Sequence, residues 1–271
     1  MTKTNIITLA EKFIRDAHDN FITEEAAIHS KYVGMKIYES PIFAFCTAND
    51  EIFVQYKCPD IIGSHFLSPV EWLPASKTVI SFFLPYTSKI KTANATDYRW
   101  PADEWLHGRY EGHNLLIQLT EHLVKTLSEA GFKALAPSID PRYKTSNGEE
   151  NMHTLNWSER HIAYACGLGT FGLSKGIITK KGMAGRLGSV LTQLELPADT
   201  RPYNDIYEYC TMCGICINRC PVNAISFENG MSPALCNNFL DKTREKHDPR
   251  YGCGKCQVNV PCESGMPTTF S

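Results

Sequence analysis

Eight of the eleven cysteines lie between Cys210 and Cys262, and four of them form the run Cys210-Thr-Met-Cys213-Gly-Ile-Cys216-Ile-Asn-Arg-Cys220-Pro221. The spacing C-x2-C-x2-C-x3-C-P lets three thiolates take three irons of one 4Fe–4S cube. The fourth, turned away by the proline, reaches a neighbouring cube. Zinc sites usually carry two separated cysteine pairs, so a third cysteine at the same spacing, followed by C-P, points to iron–sulfur chemistry and electron transfer.

A second cube needs four more ligands. Cys236 stands alone, Cys253-Gly-Lys-Cys256 follows, and Cys262 comes last. With the crossed ligation of two-cluster ferredoxins, Cys210, Cys213, Cys216 and Cys262 hold one cluster, and Cys220, Cys236, Cys253 and Cys256 hold the other. Eight ligands are what two cubes require. The competing arrangement keeps one cube and leaves the later cysteines as free thiols or a zinc pair. Cys46, Cys58 and Cys166 fall outside both sets and are expected to be buried, unreactive thiols.

The 271 residues, 43% apolar and 21% charged, suit one large or two modest soluble domains. The amino terminus has only the apolar pair Ile6-Ile7, too little for a signal peptide, and no apolar window is long enough for a membrane span. Cluster cysteines must stay reduced until loaded, which implies a cytoplasmic location and no membrane partner. The formal net charge of −2 lacks the basic excess of nucleic-acid binders, so nucleic acid is not expected as a partner. Residues 173–190 form a local exception, with Lys175, Lys180, Lys181 and Arg186 and no acid. They suit an anionic group, an acidic electron donor or an ordinary solvated turn.

These groups need elements to hold them. Apolar spacing predicts short helices over 9–18 and 24–30, and strands over 41–46 and 51–55 joined by Thr47-Ala-Asn-Asp50. Residues 78–84 (TVISFFL) make the most strand-like segment. Leu115, Leu116, Leu119, Leu123 and Leu127 recur at helical intervals over 111–130, stopped by Gly131. A strand over 132–136 and a helix over 157–166 follow, then two strands, 176–179 and 186–194, paired across Lys180-Lys-Gly182. The turn-rich stretch 197–204 marks a boundary between a mixed α/β domain, 1–204, and a ferredoxin-like domain, 205–271, with an inserted helix over 234–246. Gly167-Leu-Gly169-Thr-Phe-Gly172 matches the dinucleotide pattern in form only, since a helix precedes it and a strand follows. Its glycines end a helix and let backbone approach something flat or bulky.

Three segments together carry a family resemblance: Trp157-Ser-Glu159-Arg160-His-Ile-Ala163 with Ala165-Cys-Gly167-Leu-Gly169-Thr-Phe-Gly172; Gly185-Arg-Leu-Gly-Ser189 with Leu191-Thr-Gln-Leu-Glu-Leu-Pro197; and Tyr251-Gly-Cys253-Gly-Lys-Cys256-Gln257 with the isolated Cys236. The chain resembles epoxyqueuosine reductase, whose core the reductive dehalogenases share, and the similarity extends upstream to about Ala75. The resemblance implies an α+β protein: a nitroreductase-like α/β cobalamin-binding domain followed by a two-cluster bacterial ferredoxin-like domain. It implies a base-off cobalamin, electrons entering from reduced ferredoxin or flavodoxin and passing through two 4Fe–4S clusters to cobalt, and reductive chemistry on a small-molecule substrate. Gly167, Gly169, Gly172, Arg186 and Ser189 become candidate cofactor contacts, and His153, Tyr86 and Tyr143 candidate proton donors. Glu159 and Arg160 are expected to brace their helix as an ion pair.

The chain departs from the family pattern at three places. The last cluster ligand is expected at the position of Val260, whereas the cysteine is Cys262. His153 stands where the family carries an acid. The helical-repeat domain of the tRNA enzymes does not follow Cys262, which argues against tRNA as substrate. An electron-transfer module without corrinoid, a cobalamin-reducing or processing protein, and a flavin reductase are the competing readings.

Overall fold

The structure, a computed structural model, describes residues 1–147 and 153–268. Helix α1 (Lys3–Asp16) is capped by Thr2, whose side chain accepts from the Asn5 N–H. Strand β1 (Ile42–Thr47), the short helices α2 (Ile52–Gln55) and α3 (Pro69–Trp72), strand β2 (Thr78–Pro85) and helices α4 (Ser88–Thr96) and α5 (Asp103–Glu129) follow. Strand β3 (Ala134–Leu135) and the hairpin β4 (Thr145–Asn147) with β5 (His153–Leu155) lead to α6 (Glu159–Ala165). A second hairpin, β6 (Gly169–Phe171) with β7 (Ile177–Thr179), precedes the long strand β8 (Gly185–Thr192). The cysteine-rich part holds α7 (Ile215–Arg219), the small hairpin β9 (Ile225–Ser226) with β10 (Gly230–Met231), and α8 (Pro233–His247).

The central sheet has the order β1-β2-β8-β3, with every neighbouring pair antiparallel. Strand β2 is buried at every position, and the period-two alternation of side chains divides it between two cores. Ile80, Phe82 and Leu84 join Val190, Ile6, Leu115, Leu119 and Leu123 in the layer of α1 and α5. Val79 and Phe83 join Leu191, Trp72, Trp157 and Ile162 in the layer of α6. Covering both faces of the sheet is why this strand reads as a continuous apolar run rather than an alternating one. Burying each phenylalanine contributes about 2 kcal/mol of transfer free energy, and Phe82 and Phe83 anchor one layer each.

Several expected elements come out differently. Residues 51–55 form helix α2 rather than a strand, because the Asp50 carboxylate accepts from the Ile52 N–H at 3.0 Å and starts a turn. Residues 24–30 make turns, and the first helix begins at Lys3 because Thr2 caps it. Strand β7 pairs with β6, not with β8. The turn after it closes on itself, Gly182 N–H donating to Thr179 O at 2.9 Å, while β8 pairs with β2 along its length and with β3 at its end. Cys58 is exposed, not buried. The mixed helix-and-sheet class stands.

Two glycines in α5 bring the helix onto the sheet end that matters below. A Cβ at Gly112 would fall 2.7 Å from the Tyr38 hydroxyl, and one at Gly108 would fall 3.0 Å from the Tyr86 ring. The cysteine-rich part is tied to the same region. Asn94 Nδ2 on α4 donates to Cys253 O at 2.9 Å, Arg219 Nη2 to Ala95 O at 3.2 Å, and Met183 N–H to Cys262 O at 3.0 Å.

Candidate redox site

Cys210, Cys213, Cys216 and Cys262 line one small cavity together with Val260. Gly214, at φ +72°, turns the chain into α7, a left-handed position that glycine occupies without strain. Cys216 therefore sits in the first turn of α7. Burial, then the neighbouring Cys210 and Cys213, push its thiol up to about 11, while the N–H groups of Cys216 and Ile217 pull the other way. Burial, then Cys210, Cys216 and Cys213, push Cys262 up to about 12. Thiols that raise one another in this way stand close together. Cys262 reaches the other three because its own carbonyl is held by Met183 N–H and that of Glu263 by Ala184 N–H. Val260, two residues earlier, is buried in the cavity wall.

Cys220 leaves α7 with extended backbone, φ −77° and ψ 114°, as the residue before a proline should. Its sulfur accepts from the Ala224 N–H at 3.1 Å. Cys220, Cys236, Cys253 and Cys256 line a second, larger cavity. Burial, with Cys236 and Cys220 adding to it, pushes Cys253 up to about 11. Cys256 is raised by burial and then by Cys253, Cys236, Cys216 and Cys220. Cys236 is raised by burial and by Cys220, with Arg160 pulling it back. The two sets adjoin, since Cys256 senses Cys216. Among the described residues no three His, Cys, Asp or Glu side chains are gathered tightly enough to hold a single metal ion. A cube does not require that gathering. Its thiolates bind different irons and stand farther apart than the roughly 3.8 Å between sulfurs on one tetrahedral zinc.

The larger cavity has a volume of about 460 Å³, within the usual range of cofactor and ligand pockets. Its wall also carries Phe83, Trp105 and Trp157, with Tyr143 and the three arginines Arg109, Arg160 and Arg186. A Cβ at Gly185 would run into the Leu84 carbonyl, so glycine there lets β8 lie against β2 at the rim. Arg186 follows on β8. Aromatic faces flanked by guanidinium and amide groups fit a flat, polar-edged macrocycle such as a corrin, and the buried Arg186 Nε has no hydrogen-bond partner.

Glu159 and Arg160 do not pair. Arg160 Nη1 donates to Lys175 O at 2.9 Å. Burial lowers its pKa although the residue keeps accessible surface, the combination expected of a side chain facing a cavity. Both carboxyl oxygens of Glu159 are buried without a hydrogen bond of good geometry. Burial raises Glu159 to about 7, even though Ser189, Ser138 and Trp157 lie near enough to draw it down. The reason for the separation is the α6 start: Trp157 Nε1 donates to Ser189 Oγ at 3.0 Å, drawing the segment onto β8.

Of the expected proton donors, Tyr86 lines the cavity, but its hydroxyl donates to Gly108 O at 2.9 Å and its ring stacks on Tyr38. Tyr143 lines the cavity and senses Glu159. His153 pairs with Asn147 in the β4–β5 hairpin; its side chain lies outside the described residues. Arg186 faces the cavity, whereas Ser189 is buried behind its wall. Gly167 and Gly169 do not line the large cavity. A Cβ at Gly169 would run into the Ile178 carbonyl, and one at Gly167 would meet Thr200 O at 3.0 Å. Gly172 lines the small cavity instead. Sequence reasoning missed Arg109 and His113. The available signal was their four-residue spacing on α5, flanked by Gly108 and Gly112.

The family model for a 4Fe-4S binding domain matches residues 203–226. An epoxyqueuosine reductase of Bacillus cereus is 28% identical over 209 residues, 73% of this chain and 51% of its own length. One from Staphylococcus aureus is 31% identical over 206 residues, 72% of this chain and 50% of its own length. The chain thus spans about half the length of the curated relatives it matches. Among solved structures, an epoxyqueuosine reductase with an epoxyqueuosine-modified tRNA stem loop aligns with a TM-score of 0.55 at 20% identity, covering 97% of this chain and 68% of that one. The fold is that of the epoxyqueuosine reductases. A catabolic reductive dehalogenase shares it, with a TM-score of 0.53 at 13% identity, over 98% of this chain and 37% of that one.

The comparison corrects one expectation. Nucleic acid was not expected as a partner, yet a structural neighbour of this chain is bound to a tRNA stem loop. Net charge misled because it averages over the whole surface, whereas a nucleic acid responds to the local field where it docks. Among the described residues no helix is long and apolar enough to cross a membrane.

Proposed function

We propose that the chain is an iron–sulfur reductase that carries two 4Fe–4S clusters and a base-off corrinoid. One observation carries the reading: a single large cavity is lined both by Cys220, Cys236, Cys253 and Cys256 and by aromatic and arginine side chains. When bound, the clusters and the corrinoid would supply electron storage and low-potential reducing power.

The chain's own residues do the holding and the proton handling. Cys210, Cys213, Cys216 and Cys262 hold the outer cluster; Cys213 is exposed, which suits electron entry from a reduced ferredoxin or flavodoxin in the cytoplasm. Cys220, Cys236, Cys253 and Cys256 hold the inner one, with the Arg160 charge close to Cys236 and Cys256 favouring their thiolate forms. Phe83, Trp105 and Trp157 would give a bound ligand an apolar surface from the cavity lining. Tyr143, in the cavity lining, would be the proton donor to a departing oxygen or to the carbon that loses a halide. Substrate classes are therefore small epoxides and organohalides, and also the modified tRNA stem loop bound by the structural neighbour.

Anaerobic purification from cells supplied with cobalamin tests the proposal. The expected protein holds about eight irons and one cobalt per chain and shows a corrin spectrum. Iron and sulfide without cobalt would leave an electron carrier. Release of reduced corrinoid to an acceptor, without turnover of epoxide, halide or modified tRNA, would leave a cobalamin-processing protein. Zinc in place of iron would end the cluster reading.

A further inference from the structure

The large cavity contains an electrostatic conflict that no side chain among the described residues resolves. Arg109 on α5 and Arg186 on β8 both line it. Arg109 Nη2 donates to the Tyr251 hydroxyl at 3.1 Å, with its guanidinium 4.7 Å from that ring centre. Arg186 Nη2 donates to His113 Nδ1 at 3.0 Å, while its buried Nε has no partner. A guanidinium has no acceptor, so His113 must be the neutral ring here, with its proton on Nε2. The ion-paired arginines of the described residues are Arg15, Arg142, Arg201, Arg244 and Arg250. Among the described residues neither Arg109 nor Arg186 pairs with a carboxylate.

The two cations oppose each other. Burial, then Arg186, push Arg109 down to about 10. Burial, then Arg186 and Arg109, push His113 down to about 4. Two half-buried like charges without a carboxylate partner are costly, and a negative group arriving with a ligand would relieve that cost. A planar carboxylate is satisfied by one guanidinium fork. Two forks converging from different elements suit a tetrahedral oxyanion with more oxygens to offer.

We propose that Arg109 and Arg186, with His113 behind them, form a phosphate-binding subsite in the large cavity. Two sources share that chemistry: the phosphodiester in the nucleotide tail of a corrinoid, and a phosphate on the substrate. The first source rests on the corrinoid reading above; the second does not.

Calorimetric titration of the cluster-loaded protein distinguishes them. Cobalamin carries the phosphate-bearing tail and cobinamide lacks it; inorganic phosphate is the third probe. If the tail is the ligand, Arg109→Gln and Arg186→Gln each weaken cobalamin by tenfold or more and leave cobinamide within twofold. If the substrate supplies the phosphate, both corrinoids are unchanged and inorganic phosphate binding weakens tenfold or more. Arg109→Lys and Arg186→Lys, which keep the charge without the fork, serve where a glutamine variant fails to fold, and are expected to lose at least threefold. The subsite is overturned if the variants change neither the cobalamin-to-cobinamide affinity ratio nor phosphate binding. Failure of both corrinoids to bind wild-type protein would sink the corrinoid reading alone, leaving the phosphate arm to decide the subsite.

Discussion

The sulfurs of Cys46 and Cys166 stand 3.0 Å apart in the core layer on the α6 side of the sheet. Neither lines the cavities of the other eight thiols described above. Cys46→Ala and Cys166→Ala are therefore expected to cost about 1 kcal/mol in packing and to leave iron unchanged. Cys236→Ala should lower iron from about eight to about four per chain. Iron analysis and the low-temperature EPR of reduced protein check both halves. Iron loss in the Cys46 variant, or full iron in the Cys236 variant, would break the division into eight ligands and three bystanders.

Gly254 lies between Cys253 and Cys256 at φ +64°, and a Cβ there would run into the Trp105 indole. Gly254→Ala combines backbone strain with that clash, so the loop must move and carry its two sulfurs with it. The variant should fold but lose about half its iron. Iron content equal to wild type would show that the loop does not position these ligands.

Glu159 gives stability a pH dependence. Its folded-state pKa of about 7 lies above the ordinary value of 4.5, because burial disfavours the charged form. Its effect is absent while the carboxyl is protonated in both folded and unfolded chains. As pH rises from the ordinary carboxyl range through about 7, folding is progressively penalised by about 3 kcal/mol. Glu159→Gln should match wild type at pH 5 and exceed it by roughly that amount at pH 8.5 in denaturant titrations. Parallel stability profiles for the two proteins across this range would refute the assignment.

Arg250 joins the loop before Cys253 to α5 and the amino-terminal turns. Its guanidinium binds both oxygens of Glu111 and the carbonyl of Ala26, and the paired side chains are 16% and 15% exposed. Removing one partner from so shielded a pair costs about 3 kcal/mol. Arg250→Ala should lower the apparent melting midpoint by several degrees. A change of less than a degree would mean that solvent already screens the pair.

The sequence revealed most where chemistry depends on local spacing. The Cys210–Pro221 run, the TVISFFL strand and the leucine-spaced α5 could each be read from neighbours in the chain. Strand pairing was harder to read. Residues 177–179 have the composition of a strand, but their pairing with β6 rather than with β8 is a matter of tertiary packing that local spacing does not encode. The role of Gly169 was open for a similar reason: whether a glycine admits a ligand or a carbonyl of its own chain depends on what folds against it. Arg109 and His113 were hidden in a helix whose leucines dominate its pattern. Their meaning depends on Arg186, which arrives from a strand far along the chain.

Lys255, between two thiol ligands, is fully buried, and its ammonium is committed to the backbone carbonyl and side-chain oxygen of Asn94 on α4. Excised from residue 205 onward, the ferredoxin-like segment would keep its sulfurs and lose the acceptors that anchor this cation. Should a second cluster be held there, docking of α4 would have to precede its insertion. The Lys255–Asn94 contact would then act as a checkpoint between folding and metal loading.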